Sequence, residues 1–164
     1  MKILLPVDGS PLSMEAVHHV IRLARDGLRA SIVLVNVQEP SSLYEVMVLH
    51  DADALQRMAR EAGEDLIAPA ERLLTEAGIE HDSEVVTGDP AHALIDVAER
   101  YQCNAIILGA HGEGESSSAL GSVAQSVLRH SPVAVMVVRP VDEEVAAAQE
   151  AGNESLDSST GAGT

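Results

Sequence analysis

A segment rich in glycine and serine, GAHGEGESSSALGS, occupies residues 109–122 directly after the apolar run NAIILG. Gly109 and Gly112 lack a Cβ, so the backbone there can turn sharply and approach a ligand closely. Gly121 and Ser122 precede a helical pattern, and the free N–H groups and the dipole of a helix N-terminus favour an anion. The spacing therefore predicts a loop that cradles a phosphate, with Ser122 either touching a phosphate oxygen or acting as the helix N-cap.

The same loop offers no cation to a phosphate. It contains neither lysine nor arginine, and it carries two acidic residues, Glu113 and Glu115. Two like unit charges about 4 Å apart repel by about 4 kcal/mol at an effective dielectric constant near 20. ATP in this loop would therefore need Mg²⁺ or Mn²⁺ between its phosphates and the glutamates, unless the glutamates point to solvent as at an ordinary loop tip. His111 also lies in the loop and could donate to a phosphate oxygen.

Composition argues against several other kinds of ligand. The formal net charge of the 164 residues is −16, which disfavours binding to the backbone of a nucleic acid or to an anionic membrane. There is no Trp or Phe, so the aromatic platforms that stack single-stranded bases are absent. No apolar run reaches the roughly 18 residues of a membrane helix. The N-terminal MKILLPVDGS is typical of a first strand rather than a signal peptide, which predicts a cytoplasmic protein.

Familiar catalytic and metal-binding patterns are also missing from the sequence. GAHGEG has neither the spacing of a P-loop nor that of the dinucleotide-binding fingerprint. The seven histidines are spread along the chain and no two of them are four residues apart, so we expect solvated or capping histidines and leave the metal question open. Cys103, the single cysteine, excludes an internal disulfide and is expected to be a small buried hydrophobe. No nucleophile with a base and an orienting group is visible, so at most slow ATP hydrolysis is expected.

Apolar runs alternate with helical patterns along the chain. Four of these runs are predicted to be strands, at residues 2–7, 31–37, 104–109 and 133–139, and the more polar segment 80–87 is predicted to be a weaker strand at a sheet edge. Four helical patterns lie between them, at about 12–26, at 55–77 with Met58 in its apolar stripe, from Pro90 onward, and at about 122–130. Pro69 is expected to kink or split the second helix, and Asp89 to cap the third. The alternation predicts a parallel sheet with helices on both faces, which is a three-layer α/β/α, Rossmann-like fold.

Two strand orders are common for such a sheet. In the order 3-2-1-4-5 a ligand crevice opens between the first and fourth strands, and in the order 2-1-3-4-5 it opens between the first and third. The glycine-rich loop follows the fourth strand, and the polar turn DGS at residues 8–10 follows the first. Because both segments would line one crevice only in the first order, the sequence favours 3-2-1-4-5.

Three stretches of the sequence together resemble the universal stress protein family over residues 1–140. They are LPVDGS after the first strand, VNVQ at the end of the second, and GAHG…GSVAQSVLRHSPVAVMVVRP. The resemblance implies a fold of order 3-2-1-4-5, similar to the adenine nucleotide alpha hydrolase-like proteins, and a role in the stress response. Many members bind ATP through the motif G-x2-G-x9-G-[ST], and others bind no nucleotide. In this sequence eight residues, not nine, separate Gly112 from Gly121.

The resemblance also implies roles for individual positions. Gly109, Gly112 and the pair Gly121–Ser122 match the loop motif. Pro6 and Asp8 match positions that wall the base and reach the ribose hydroxyls, and Val37 matches the position whose backbone pairs with adenine. The candidate nucleotide-binding residues are Pro6, Val7, Asp8, Ser10, Val37, Leu108, Gly109, His111, Gly112, Gly121, Ser122 and Val123.

The C-terminal part of the chain suggests how the protein is organised and how it associates. Residues 141–164 contain six acids and no base, and we expect an acidic disordered tail after a single domain of residues 1–140. The apolar strand at 133–139 would form a sheet edge, and an unpaired apolar edge invites another chain. The apolar edge strand therefore predicts a homodimer centred on about residues 135–138, with the nucleotide sites outside the interface. The family resemblance also implies such a dimer. Replacement of Val137 by lysine is the test that the sequence suggests.

The leading hypothesis from the sequence is a regulatory protein that binds ATP or a related adenine nucleotide. A dimeric interaction module with the same fold and no nucleotide is the first alternative, because the loop is short and acidic. An enzyme that acts on an adenylate is the second.

Overall fold

The computed structural model describes residues 1–40, 51–111 and 120–139, and these residues form one parallel sheet covered by helices. Gly112, Glu113, Glu115 and the predicted tail lie outside the described residues. The strands are β1 Lys2–Pro6, β2 Ser31–Gln38, β3 His81–Thr87, β4 Ala105–Gly109 and β5 Ala134–Val138. The helices are α1 Pro11–Arg25, α2 Ala52–Glu76, α3 Pro90–Arg100 and α4 Ser122–His130.

The strands lie in the order β3-β2-β1-β4-β5, which confirms the order predicted from the sequence. Strand β1 pairs in parallel with β2 on one side and with β4 on the other. The chain therefore reverses its direction of winding between β1 and β4, and the carboxyl ends of these two strands flank the crevice where ligands bind in folds of this class.

Two apolar clusters cover the two faces of the sheet. On one face Leu5 and Leu34 pack against α1 and α2, and on the other Leu4 and Val33 pack against α3 and α4. Neighbouring residues of β1 thus point to opposite layers, as the alternation of side chains along a strand requires. Because both faces are buried, the central strands are mostly apolar, and the three-layer α/β/α fold is confirmed.

Helix α2 differs from its prediction in two respects. It runs without interruption through Pro69, so the predicted split was wrong. Ile67 and Ala70, on either side of the proline, are both buried, and this packing holds the helix on the sheet despite the lost backbone donor. Met58, placed in the apolar stripe by the sequence, is 61% exposed, and the buried face begins only at Gly63. A helix of 25 residues is about 37 Å long, whereas the eight residues of β2 span about 26 Å, so α2 cannot pack along β2 over its full length.

The start of α3 follows the signal predicted from the sequence. Asp89 caps α3 by accepting the N–H of His92, and Pro90 is the first helical residue, as predicted. Gly27 and Gly78 follow α1 and α2 with positive φ, which is the conformation that ends helices and suits glycine. No helix within the described parts of the chain combines the length and hydrophobicity needed to cross a membrane.

Candidate functional site

A pocket of about 440 Å³ opens at the carboxyl ends of β1, β2 and β4. Its walls contain every candidate residue that the structure describes, and Gly112 lies outside the described residues. The predicted residues that line it are Pro6, Val7, Asp8, Ser10, Val37, Leu108, Gly109, His111, Gly121, Ser122 and Val123. Residues far apart in sequence meet here because the strand order brings β1 and β4 together.

The N-terminus of α4 lines this pocket, and no side chain in the described part of the chain caps it. Gly121 is the N-cap, so the prediction that Ser122 could cap the helix was wrong, and Ser122 is the first helical residue. A glycine has no side chain with which to cap, and the first backbone bond of the helix runs from the Gln125 N–H to the Gly121 carbonyl at 3.0 Å. The N–H groups of Ser122, Val123 and Ala124 precede that bond. The N–H groups of a helix N-terminus suit an anion.

Short hydrogen bonds fix the two ends of the glycine-rich loop. The N–H of Gly121 donates to the Ala110 carbonyl at 2.8 Å, and the N–H of Ala110 donates to the Val138 carbonyl at 2.8 Å. The side-chain amide of Gln125 donates to the Leu120 carbonyl at 2.6 Å. The start of α4 is therefore held beside the end of β4 by bonds that need no ligand.

Gly109 is closely packed against α1 inside the protein. A Cβ at this position would lie 3.0 Å from the Leu12 Cβ and 3.1 Å from the Leu12 carbonyl carbon. The first turn of α1 thus rests directly on the end of β4. The first glycine of the loop motif allows this close approach of helix and strand, which the sequence interpretation assigned to the ligand.

The backbone of Val37 lines the end of the pocket that lies across from the N-terminus of α4. The Val7 N–H donates to the Val35 carbonyl at 2.8 Å, so the backbone groups of Val35 point toward β1. Gly88 donates to the Gln38 carbonyl at 3.0 Å on the β3 side. Backbone polar groups alternate sides along a strand, so the N–H and C=O of Val37 also point toward β1, beyond the place where β1 ends. This edge presents one donor and one acceptor to the pocket.

The charge of the described lining is negative. Asp8 and Glu39 both line the pocket, and no lysine or arginine does so in the described part of the chain. The Asp8 carboxylate accepts the Ser10 N–H at 2.9 Å, and the Ser10 hydroxyl, 2% exposed, accepts the Ser13 N–H at 3.1 Å. The hydroxyl of Ser10 thus acts as the N-cap of α1.

Several lining residues were missed by the sequence interpretation. Glu39 lies two residues after Val37, and residues two apart on a strand point to the same face. That spacing could have identified Glu39 as a lining residue. Pro90 and Leu94 belong to α3, and no motif in the sequence marks residues of this helix as part of a binding site. The missed residues are Ser13, Val35, Glu39, Pro90, Leu94 and Ala124.

A larger groove of about 630 Å³ lies at the amino ends of the strands, beside the C-terminal ends of α1 and α2. None of the predicted ligand residues lines it. Helix C-termini present carbonyl groups rather than N–H groups, and ligands of parallel sheets bind at the carboxyl ends of the strands. The smaller pocket is therefore the better candidate site. Within the described ranges, no three His, Cys, Asp or Glu residues are grouped closely enough to hold a metal ion.

Comparison with known proteins agrees with this architecture. The sequence pattern of the Universal stress protein family matches residues 1–139. A universal stress protein of Methanocaldococcus jannaschii is 27% identical over 144 residues, which cover 87% of this chain and 84% of that protein. Universal stress protein YxiE of Bacillus subtilis is 26% identical, over 84% of this chain and 98% of that protein.

Solved structures give the same result for the fold. A universal stress protein in complex with cAMP matches with a TM-score of 0.59 and 22% identity, over 85% of this chain and 96% of that one. A family protein from Arabidopsis thaliana with AMP bound matches with a TM-score of 0.63 and 17% identity, over 88% and 94%. With the family pattern matched over nearly all of the described fold, this chain belongs to the universal stress protein family.

Proposed function

We propose that this protein binds an adenine nucleotide in the pocket between β1 and β4 and acts as a cytoplasmic regulator in a stress response rather than as a fast enzyme. The N-terminus of α4 carries the proposal, because its first backbone N–H groups line one end of the pocket and no side chain of the described residues caps them. The Val37 backbone offers a donor and an acceptor to a base at the other end. Asp8 lies between them, where a carboxylate can accept hydrogen bonds from ribose hydroxyls.

The charge of the pocket favours nucleotides with few phosphates. ATP carries roughly twice the negative charge of AMP, and the described lining contains Asp8 and Glu39 but no basic side chain. We therefore propose that AMP or a cyclic monophosphate binds without a metal, and that ATP binds only with Mg²⁺ or Mn²⁺. The neighbours solved with cAMP and with AMP support this choice of ligand class.

A substitution at the N-cap of α4 tests the role of the helix N-terminus. Gly121 has a φ of −63°, which any residue can adopt, so aspartate should fit the backbone. The carboxylate of Gly121→Asp would cap the helix and occupy the anion site, and we expect AMP affinity to fall by about tenfold or more. Gly121→Ser is the matched control, since its hydroxyl can cap without adding charge. Calorimetry that finds unchanged AMP affinity for the aspartate variant would contradict the proposal.

A second candidate function is an interaction module that binds no nucleotide. The observation in its favour is the glycine-rich loop, which is one residue shorter than the family motif and contains Glu113 and Glu115. Mass spectrometry of the small molecules released from the purified protein by denaturation separates the two candidates. A co-purifying adenine nucleotide would exclude this second function.

We also propose that two copies associate through β5. This strand is the last in the sheet order, and Met136 on it is 43% exposed. Pairing of two β5 strands would join two sheets edge to edge and cover the exposed methionine, while both pockets stay outside the interface.

A further inference from the structure

Asn36 is a buried amide beside the pocket that the sequence interpretation did not single out. It is 2% exposed, and both ends of its side chain are hydrogen-bonded. Its Nδ2 donates to the Val7 carbonyl at 2.7 Å, and its Oδ1 accepts the Nε2 of Gln38 at 2.6 Å. A buried amide costs free energy unless it is paired, so this residue is held in one orientation by two short bonds.

The bond from Asn36 to Val7 replaces a bond of the strand ladder. The Val7 N–H donates to the Val35 carbonyl, and in a regular parallel pair the next bond would run from the Val37 N–H to the Val7 carbonyl. That carbonyl accepts the Asn36 side chain instead. In the described part of the chain the Val37 N–H has no backbone partner on the β1 side.

We propose that Asn36 is a positioning residue of the pocket: its side-chain amide takes the place of the Val37 N–H in the ladder, and so keeps the Val37 backbone free for the edge of a base. The identity of the ligand in this inference rests on the proposed nucleotide function. The ligand is a planar ring with adjacent donor and acceptor atoms, as adenine has. Without the amide, β1 and β2 can pair by one more bond, and that bond would occupy the donor that a base requires.

The surroundings of Asn36 are built for this arrangement. A Cβ on Gly63 of α2 would lie 2.9 Å from the Asn36 Oδ1, so the glycine leaves room for the amide under the helix. Gln38 holds the same oxygen and thereby points the Nδ2 toward Val7. The amide is therefore fixed from the layer that contains α2.

Hydrogen exchange of the unliganded protein tests the replacement directly. We expect the Val37 amide to exchange quickly in the parent protein and to become protected in Asn36→Ala, where it can bond to the Val7 carbonyl. The Val35 amide, already within the ladder, serves as the internal control. Gln38→Ala should shift Val37 in the same direction by less, and it carries the test alone if Asn36→Ala does not fold. Unchanged Val37 exchange in the variant that folds would overturn the inference.

Ligand titration followed by NMR tests the consequence for the base. With Asn36→Ala we expect the Kd of AMP to rise by about tenfold, and that of ribose 5-phosphate to stay within about twofold. A general loss of structure would weaken both ligands equally, and that result would contradict a positioning role. If the parent protein binds no AMP, the proposed function fails, whereas the exchange experiment still decides the role of Asn36.

Discussion

Ser10 and Ser122 stand at the first turns of two helices that open on the same pocket, yet their hydroxyls have different roles. The Ser10 hydroxyl accepts the Ser13 N–H and caps α1, whereas Ser122 lies inside α4 and does not cap it. We expect Ser10→Ala to lower the free energy of unfolding by about 1 kcal/mol, and Ser122→Ala to change it by less than about 0.5 kcal/mol. Urea denaturation measures both. Equal losses would contradict the assignment of the caps.

The sequence predicted single residues well where their types alone imply a role. Glycines and a serine before a helix indicate an anion site, and these residues line the pocket. Asn36 could not be found in this way, because its role depends on which carbonyl lies opposite it across two strands. Gly109 was predicted to allow a ligand to approach, but its close packing against Leu12 was not predicted. That contact exists only once α1 has packed on β4.

Among the elements, α2 has an unusual requirement for glycine in its interior. Alanine at a helix interior position is normally more stable than glycine by about 0.5–1 kcal/mol. At Gly63, however, a Cβ would lie 2.5 Å from the Val85 Cγ1, so the Val85 side chain or the helix would have to shift. We expect Gly63→Ala to destabilise the protein by about 1–3 kcal/mol in urea denaturation.

The exposed neighbour of Gly63 provides the control. Ala62→Gly alters only the helix propensity, so a loss of about 0.5–1 kcal/mol is expected. If Gly63→Ala proved more stable than the parent protein, the close packing of α2 on β3 would be wrong.

The cap of α3 should respond to acid. The backbone N–H of His92 and then its ring, at 2.6 Å, lower the pKa of Asp89. Because the pKa is lower in the folded protein, the ionised cap stabilises the fold above about pH 3.8 and this contribution is lost as the pH falls through the lowered value. Asp89→Asn keeps a cap that cannot ionise. From pH 5 to pH 3 the urea midpoint should therefore fall less in Asp89→Asn than in the parent, and an equal fall would contradict this reasoning.

At the scale of the whole molecule, the exposed edge of β5 is predicted to pair with a second copy. Met136 is 43% exposed, whereas Val137 packs against the cluster that includes α3 and α4. Lysine at Val137 would therefore disturb the core as well as the edge, and Met136→Lys is the cleaner variant. We expect it to be monomeric by light scattering at concentrations where the parent is dimeric.

Met58→Lys is the matched control for this experiment, because Met58 is 61% exposed and lies on α2, away from β5. It should leave the association unchanged. A parent protein that is monomeric at tens of micromolar, or a Met136→Lys variant that stays dimeric, would contradict pairing through β5.

The strand order was predictable because it follows from where polar segments must meet. DGS after the first strand and the glycine-rich loop after the fourth share a crevice in only one of the two common orders. The continuity of α2 through Pro69 was not predictable, since the packing of Ile67 and Ala70 outweighs a local helix-breaking signal. Local patterns fix the elements, and contacts between layers decide how far each one extends.

NMR titration of the isotope-labelled protein with AMP, without added metal, tests the central claim most directly. Binding in the pocket between β1 and β4 should shift the amides of Val37, Ser122 and Val123, at the two ends of the pocket. Amides around Arg25 and Gly78, in the larger groove at the amino ends of the strands, should not move. No shift at millimolar AMP, or shifts confined to that groove, would contradict the account.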